Sequence, residues 1–153
     1  MEVTVKKMKR FLMFKLPSAY LCGVRLQEID SSKSVVTVKY KWINQNPFKS
    51  MYFAVQSMAA ELSTGAIVIK KISESGQQIS MLVINHRGSF TKKAVGLITF
   101  ICNDGNLIDE AIKNTIDTGE GQTILMKSTG VNEKGEQVSV YEFEWSLKLK
   151  SKK

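Results

Sequence analysis

The chain has 153 residues, of which 43% are apolar and 24% are charged, and its formal net charge at pH 7 is +8. This length and composition predict a single domain, residues 1–153, with one core. The sequence has no apolar run long enough to span a membrane, and the apolar residues 11–14 are too few for a signal-peptide core, so we expect a cytoplasmic protein without a membrane partner. Cys22 and Cys102 are too few for a disulfide framework, and both are predicted to be small buried hydrophobic residues.

Much of the positive charge lies near the two ends of the chain, at about residues 1–10 and 150–153. We expect these basic ends to be solvated, and they could be mobile. The alternative explanation of the charge is an acidic or phosphorylated ligand, or nucleic acid.

The first part of the chain is predicted to contain a short helix at residues 8–22, around Pro17, and two strands at residues 24–30 and 34–43. A polar turn at residues 30–33 separates the strands. In the second strand apolar and polar residues alternate, which predicts one buried and one solvated face. The residues of the buried face are Val36, Val38, Tyr40 and Trp42.

The longest apolar stretch is predicted to form a helix over residues 50–69, with Ser50 as its N-cap. A helix that is apolar on nearly every side is buried on most of its faces. Glu61 is the one acid in this stretch. Because a buried charge without a partner is costly, Glu61 should either face a polar opening or have a function. The helical spacing places it in a narrow polar stripe with Ser50, Ser57 and Thr64.

The second half of the chain is predicted to contain four strands and one short helix. The strands are residues 78–90, 94–102, 122–131 and 136–150, and the helix is residues 107–117, ending near Gly119. In the last strand the aromatic residues at 141, 143 and 145 alternate with polar ones, which predicts that they belong to the core. The order of the elements indicates an α+β fold in which an antiparallel sheet curls round one long helix.

This order resembles the hotdog fold, and the chain is most similar to the acyl-CoA thioesterase-like superfamily, in particular to small bacterial hotdog proteins of unassigned function. Residues 46–65, NPFKSMYFAVQSMAAELSTG, are similar to the family pattern of an Asn, a short loop, a His-Gly-Gly or Tyr-Gly-Gly, an acid seven residues later and a Gly four further on. Residues 90–96, FTKKAVG, are similar to a second family motif. The resemblance covers roughly residues 20 to 150.

The resemblance implies a set of catalytic positions. Glu61 matches the catalytic acid, which would activate water or attack the thioester carbonyl itself. Ala54 takes the place of the second glycine, whose N–H polarises that carbonyl. Asn46 matches a polar residue in the loop before the helix, and Tyr52 takes the place of the histidine. The chain departs from the pattern because Phe53 and Ala54 replace the Gly-Gly pair, and Phe53 could obstruct a ligand.

Other residues are expected to contact the ligand around this centre. They are Phe53, Ser57 and Phe90, together with Lys92 and Lys93, whose charges would attract the phosphates of coenzyme A. No cofactor and no metal is expected, because the lone His86 has no Cys or acid at ligand spacing.

The sequence leaves three functional hypotheses. The first is a thioesterase-like protein that binds, and could hydrolyse, an acyl-CoA or related thioester. The second is a non-catalytic acyl-binding or structural dimer module. The third and least favoured is a nucleic-acid binder that stacks bases on Trp42, Tyr141, Phe143 and Trp145. In each case an open sheet edge favours self-association into a homodimer or a tetramer.

Overall fold

The computed structural model describes residues 3–150, which form one antiparallel six-stranded sheet with a long helix packed across it. The strand order is β1-β2-β4-β5-β6-β3. The strands are β1 (Arg25–Ile29), β2 (Ser34–Lys39), β3 (Ile79–Phe90), β4 (Leu97–Cys102), β5 (Gln122–Val131) and β6 (Gln137–Leu149). The helices are α1 (Val5–Lys15), α2 (Pro17–Leu21), α3 (Phe53–Ser75) and α4 (Gly105–Thr118), with a short 3₁₀ helix at Trp42–Asn44.

The core lies between α3 and the concave face of the sheet. The alternation in β6 buries Tyr141, Phe143 and Trp145, as predicted. Polar groups of α3 that face the sheet are paired: the indole N–H of Trp145 donates to Thr64 at 3.0 Å, and the hydroxyls of Ser63 and Ser128 are 2.7 Å apart. These bonds satisfy the buried hydroxyls of Ser63 and Thr64, which lie on the face of the helix that packs against the sheet.

The central helix begins and ends later than predicted. It begins at Phe53, and Tyr52 rather than Ser50 occupies the N-cap position. The prediction of Ser50 as N-cap was wrong because its hydroxyl bonds the Asn46 side chain at 3.1 Å. The helix continues beyond residue 69 to Ser75 because Gly76 (φ 66°) supplies the left-handed conformation that ends it. The polar stripe is therefore shorter: Ser50 precedes the helix and Thr64 is buried.

Trp42 does not belong to the buried face of β2. The strand ends at Lys39, and Trp42 is 82% exposed in the 3₁₀ helix. The buried Asn44 turns the chain there, because its side-chain amide donates to the carbonyls of Lys39 (2.9 Å) and Cys22 (3.0 Å). Its side-chain oxygen also accepts from the Lys41 N–H at 2.8 Å. A local side-chain network thus overrides the alternating pattern.

The N-terminal region forms two helices instead of one. The break falls at Leu16, because the proline that follows disfavours a helical conformation there. Met8 and Leu12 of α1 are buried against the core, so residues 5–10, predicted as part of a basic end, lie in a packed helix. Residues 1–2 and 151–153 fall outside the described residues.

The remaining elements follow the predictions closely. The connection between β3 and β4 is longer than expected because β4 begins at Leu97. In α4 the predicted buried face is present at Ile108, Ala111, Ile112 and Thr115, whereas Ile116 is 38% exposed.

Both cysteines are free thiols; Cys102 is buried as predicted and Cys22 is half-buried. No helix within residues 3–150 is long and apolar enough to cross a membrane.

The two edges of the sheet differ. β1 is five residues long and lies against α1, whereas β3 is twelve residues long. Most of β3 is exposed on both faces, including Leu82 (65%) and Ile84 (49%). Such a long edge strand with exposed apolar side chains is a surface suited to pairing with another strand.

Candidate functional site

Glu61 lines a cavity of about 390 Å³ between the start of α3 and strands β3 and β6. The cavity walls are mainly apolar, and Glu61 is their one carboxylate. The lining residues are Phe53, Ala54, Ser57, Met58, Glu61, Val83, His86 and Phe143. Three other residues of the predicted site, Phe53, Ala54 and Ser57, therefore line the same cavity as Glu61.

The Glu61 carboxylate has no hydrogen-bond or ion-pair partner among residues 3–150. Burial raises its pKa from 4.5 to about 7, because desolvation disfavours the charged form. A carboxylate with a pKa near neutrality can take up and release a proton at physiological pH, which is the property that a general base needs.

The backbone at the start of α3 has a hydrogen-bond donor without a helical acceptor at Ala54, a residue that lines the same cavity. Ala54 is the second residue of the helix, where an N–H has no acceptor within the helix. The next two amides, of Val55 and Gln56, donate to the Tyr52 carbonyl at 3.0 and 3.3 Å. The Tyr141 hydroxyl donates to the Phe53 carbonyl at 3.0 Å and fixes this turn to β6. The helix dipole adds partial positive charge at this end.

A second, larger cavity of about 680 Å³ lies on the other side of Phe53. Its walls combine aromatic rings with lysines and backbone of the loop before α3. They include Asn46, Phe48, Tyr52, Phe53, Phe90, Lys92 and Lys93. Within the described residues Phe53 alone lines both cavities. Its ring, 55% exposed, therefore forms the partition between them.

The same architecture occurs in solved structures of low sequence identity. A protein of unknown function from Pseudomonas aeruginosa, described as a probable thioesterase, superposes with a TM-score of 0.83 over 98% of this chain and 99% of that one, at 18% identity. A protein of unknown function from Chlorobaculum tepidum gives 0.83 over 95% and 94%, at 16% identity. A thioesterase from Haemophilus influenzae gives 0.75 over 97% and 93%, at 12% identity. The chain has a hotdog fold. No protein-family model and no curated protein matches its sequence.

Two predicted catalytic residues of this hotdog domain lie apart from Glu61. Asn46 lines the larger cavity, and its side chain closes the loop before α3: the amide oxygen accepts from the Phe48 N–H at 2.9 Å, and the amide nitrogen donates to the Ser50 hydroxyl at 3.1 Å. Tyr52 is 46% exposed in the larger cavity, with its ring edge-on to Phe53 at 5.0 Å. Neither side chain lines the Glu61 cavity.

The residues predicted from the second motif also gather in the larger cavity. Phe90 ends β3 and packs edge-on against Tyr141 at 5.7 Å. Lys92 forms an ion pair with Glu136 at 2.6 Å. Lys93 donates to the Phe48 carbonyl at 3.1 Å. Both lysines thus line the larger cavity, and each ammonium group has a partner.

The sequence did not predict four residues of the Glu61 cavity. They are Met58, Val83, His86 and Phe143. His86 is paired with Phe143 across the β3–β6 ladder, and their rings stack with centroids 5.7 Å apart. Met58 could have been found from its helical spacing to Ala54 and Glu61. The strand residues could not, because only the register of β3 on β6 brings them to the helix.

Proposed function

We propose that the protein binds an acyl thioester, such as an acyl-CoA, and hydrolyses it in the Glu61 cavity. One observation carries this proposal: an unpaired carboxylate and a helix-start residue whose N–H has no acceptor within the helix line the same small apolar cavity. The proteins of this fold that are described as thioesterases support the general part of the proposal, which is a thioesterase-like protein. Acyl-CoA occurs in the cytoplasm, which is where we expect the protein to act.

The chemistry assigned to Glu61 is that of a general base. The carboxylate takes a proton from a water molecule as the water oxygen attacks the thioester carbonyl. The Ala54 N–H stabilises the negative charge that develops on the carbonyl oxygen. Collapse of the tetrahedral intermediate breaks the carbon–sulfur bond, and the departing thiolate receives the proton from Glu61. Direct attack by the Glu61 carboxylate, through an anhydride, is the alternative first step.

The larger cavity is proposed to hold the other part of the substrate. Its rings present an apolar surface to an extended chain, and Lys92 and Lys93 offer charge to phosphate groups. Because Phe53 separates the two cavities, a thioester that occupies both has to pass this ring.

The active form is proposed to be a homodimer that pairs through β3, and a tetramer could be built from two such dimers. The outer edge of β3 has exposed apolar residues, and Val83 and His86 of this strand line the Glu61 cavity. A partner strand placed there would therefore lie beside the cavity and help to close it.

Light scattering should give a mass of about twice the 17.2 kDa of one chain, and the double variant Leu82→Asp/Ile84→Asp should give the single-chain mass. A wild-type monomer would remove this part of the proposal.

The deciding experiment compares the wild type with Glu61→Gln on a panel of acyl-CoAs of increasing chain length. Loss of the base should lower kcat by about a thousandfold while the fold is retained. Glu110→Gln, an exposed carboxylate on α4, is the matched control and should leave the rate unchanged. Equal rates for the wild type and Glu61→Gln on every substrate would refute catalysis at this site.

A non-catalytic acyl-binding protein is the second candidate. The observation in its favour is that Phe53 and Ala54 occupy the positions of the Gly-Gly pair, so that a side chain lies where a ligand would approach the backbone. In that case calorimetry should detect acyl-CoA binding without turnover, and Glu61→Gln should bind as tightly as the wild type or more tightly.

A further inference from the structure

A basic and apolar face lies at the N-terminal side of the molecule and shares no lining residue with either cavity. It consists of the exposed side chains of α1, α2 and the 3₁₀ helix. We refer to it as the N-terminal face. Its exposed large apolar residues are Val5 (37%), Phe11 (37%), Met13 (39%), Phe14 (72%), Leu16 (36%), Leu21 (66%), Trp42 (82%) and Ile43 (51%).

The exposure of these residues follows from how the segment is anchored. Met8 and Leu12 hold one side of α1 against the core, so the opposite side, with Phe14, faces outward. The hydrogen bond from the Asn44 amide to the Cys22 carbonyl (3.0 Å) fixes the 3₁₀ helix beside the end of α2. Leu21 and Trp42 are therefore exposed on neighbouring segments. Large apolar side chains grouped in this way mark an interaction surface.

The charge of this face has one sign. Residues 3–27 contain no Asp or Glu. They carry six basic residues, and Lys41 adds one more beside Trp42. The six are Lys6, Lys7, Lys9, Arg10, Lys15 and Arg25. Arg25 is held over the Tyr20 ring and is part of the packing, whereas Lys6, Lys9, Arg10 and Lys15 are exposed.

We propose that the N-terminal face binds the surface of an anionic lipid bilayer. A packed helix with basic residues around exposed Phe and Leu is the composition of an interfacial membrane-binding element. An exposed Trp with its polar N–H suits the headgroup region, and lysines are attracted to anionic lipids. This binding is peripheral, so it departs from the expectation of no membrane partner, which rested on the lack of a spanning segment. It is independent of the proposed hydrolysis.

Other occupants fit the face less well. A second copy of this chain would bring two like-charged faces together, which is unfavourable. Single-stranded nucleic acid would use Trp42 and the basic residues, but it offers no apolar environment to Leu21, Ile43 and Met13. A bilayer satisfies the charge and the aliphatic side chains together.

The experiment uses the full chain with vesicles of phosphatidylcholine mixed with phosphatidylglycerol, and with phosphatidylcholine alone. The chain has two tryptophans, and Trp145 is buried, so a change in emission on binding reports on Trp42. We expect a blue shift, quenching by brominated lipid, and affinity for the anionic vesicles at least about tenfold higher than for the neutral ones. Affinity should fall with added salt.

Variants separate this face from the rest of the surface. Phe14→Ser/Trp42→Ser and Lys9→Gln/Arg10→Gln should each reduce co-sedimentation with anionic vesicles about tenfold. The matched controls are Leu125→Ser, which is 56% exposed on β5, and Lys113→Gln/Lys134→Gln; both should sediment like the wild type. Absence of binding to anionic vesicles would overturn the proposal, and so would an equal loss of binding in the control variants. An oligonucleotide that binds more tightly than the vesicles and displaces them would also overturn it.

Discussion

The two cavities on either side of Phe53 differ in whether their charged groups have partners. In the smaller cavity Glu61 has no partner within the described residues, and its pKa is raised to about 7 by burial. In the larger cavity Lys92 and Lys93 are held by Glu136 and by the Phe48 carbonyl. An unpaired buried charge lowers stability, whereas an anchored surface charge has little effect on it. The contrast is the basis on which we propose chemistry for the smaller cavity and recognition for the larger one.

After the loss of Glu61 itself, the largest effect is expected from removing the Ala54 N–H. Ala54→Pro deletes this donor at a position where the amide has no partner within the helix, so kcat should fall about a hundred- to a thousandfold. Phe53→Pro is the control, and it is compared with Phe53→Ala because both variants lose the ring; the extended Tyr52 (ψ 133°) accommodates a following proline. Its rate on a short acyl-CoA should fall by less than about tenfold if only the Ala54 amide stabilises the oxyanion. Circular dichroism of both variants checks that α3 remains folded.

The pH dependence of the rate should show the raised pKa of Glu61. A base has to be deprotonated, so kcat/KM should rise with pH and level off above about 7. Below that value it should fall about tenfold for each pH unit. A profile that levels off near pH 4.5, the ordinary pKa of a glutamate, would show that Glu61 is solvated in the reacting enzyme.

The same group should make the fold less stable at high pH. The pKa of Glu61 is about 7 in the folded chain and 4.5 without burial, so the folded state binds more protons between these values. Stability is then highest below about pH 4.5 and falls as the pH rises to about 7. Glu61→Gln should remove this fall and be more stable than the wild type at pH 8 by up to about 3 kcal/mol. Urea unfolding at several pH values measures the free energy of unfolding of both proteins. A difference between them that does not change with pH would contradict the raised pKa of Glu61.

Removing the partition should join the two cavities. Phe53→Ala deletes a half-exposed ring, so we expect little loss of stability and a rise of about tenfold in the preference for bulky over short acyl groups. Tyr52→Ala, which changes the wall of the larger cavity only, should leave this ratio unchanged. If both variants shift the ratio equally, Phe53 has no special place between the cavities.

The smallest effect is expected at the lysines of the larger cavity. Lys92→Gln/Lys93→Gln should raise KM for an acyl-CoA about threefold, because both ammonium groups already have partners and are partly solvated. Kcat should not change, and neither should KM for a thioester that lacks phosphate groups. A loss of kcat would place these lysines with the chemistry of Glu61 instead.

The sequence grouped three residues of the candidate site that the structure brings to one cavity, because they are close together in the chain. Ala54, Ser57 and Glu61 recur at helical spacing on α3, so one periodic segment carries them to one cavity. It did not predict that Asn46 would be used to close its own loop, since that depends on short-range hydrogen bonds formed in the folded turn. Trp42 was misplaced for the same reason, because the side chain of Asn44 ends the strand before it.

The sequence by itself determined an antiparallel sheet curled round one long helix: alternation in the strands and an almost uniformly apolar helix leave few ways to bury the apolar surface. Only the tertiary structure decided that Glu61 has no partner, that His86 and Phe143 lie beside it, and that Phe53 separates two cavities. The physical reason is distance along the chain. Periodicity specifies the face on which a residue lies, but the register of β3 on β6 and the position of α3 across them decide which faces meet.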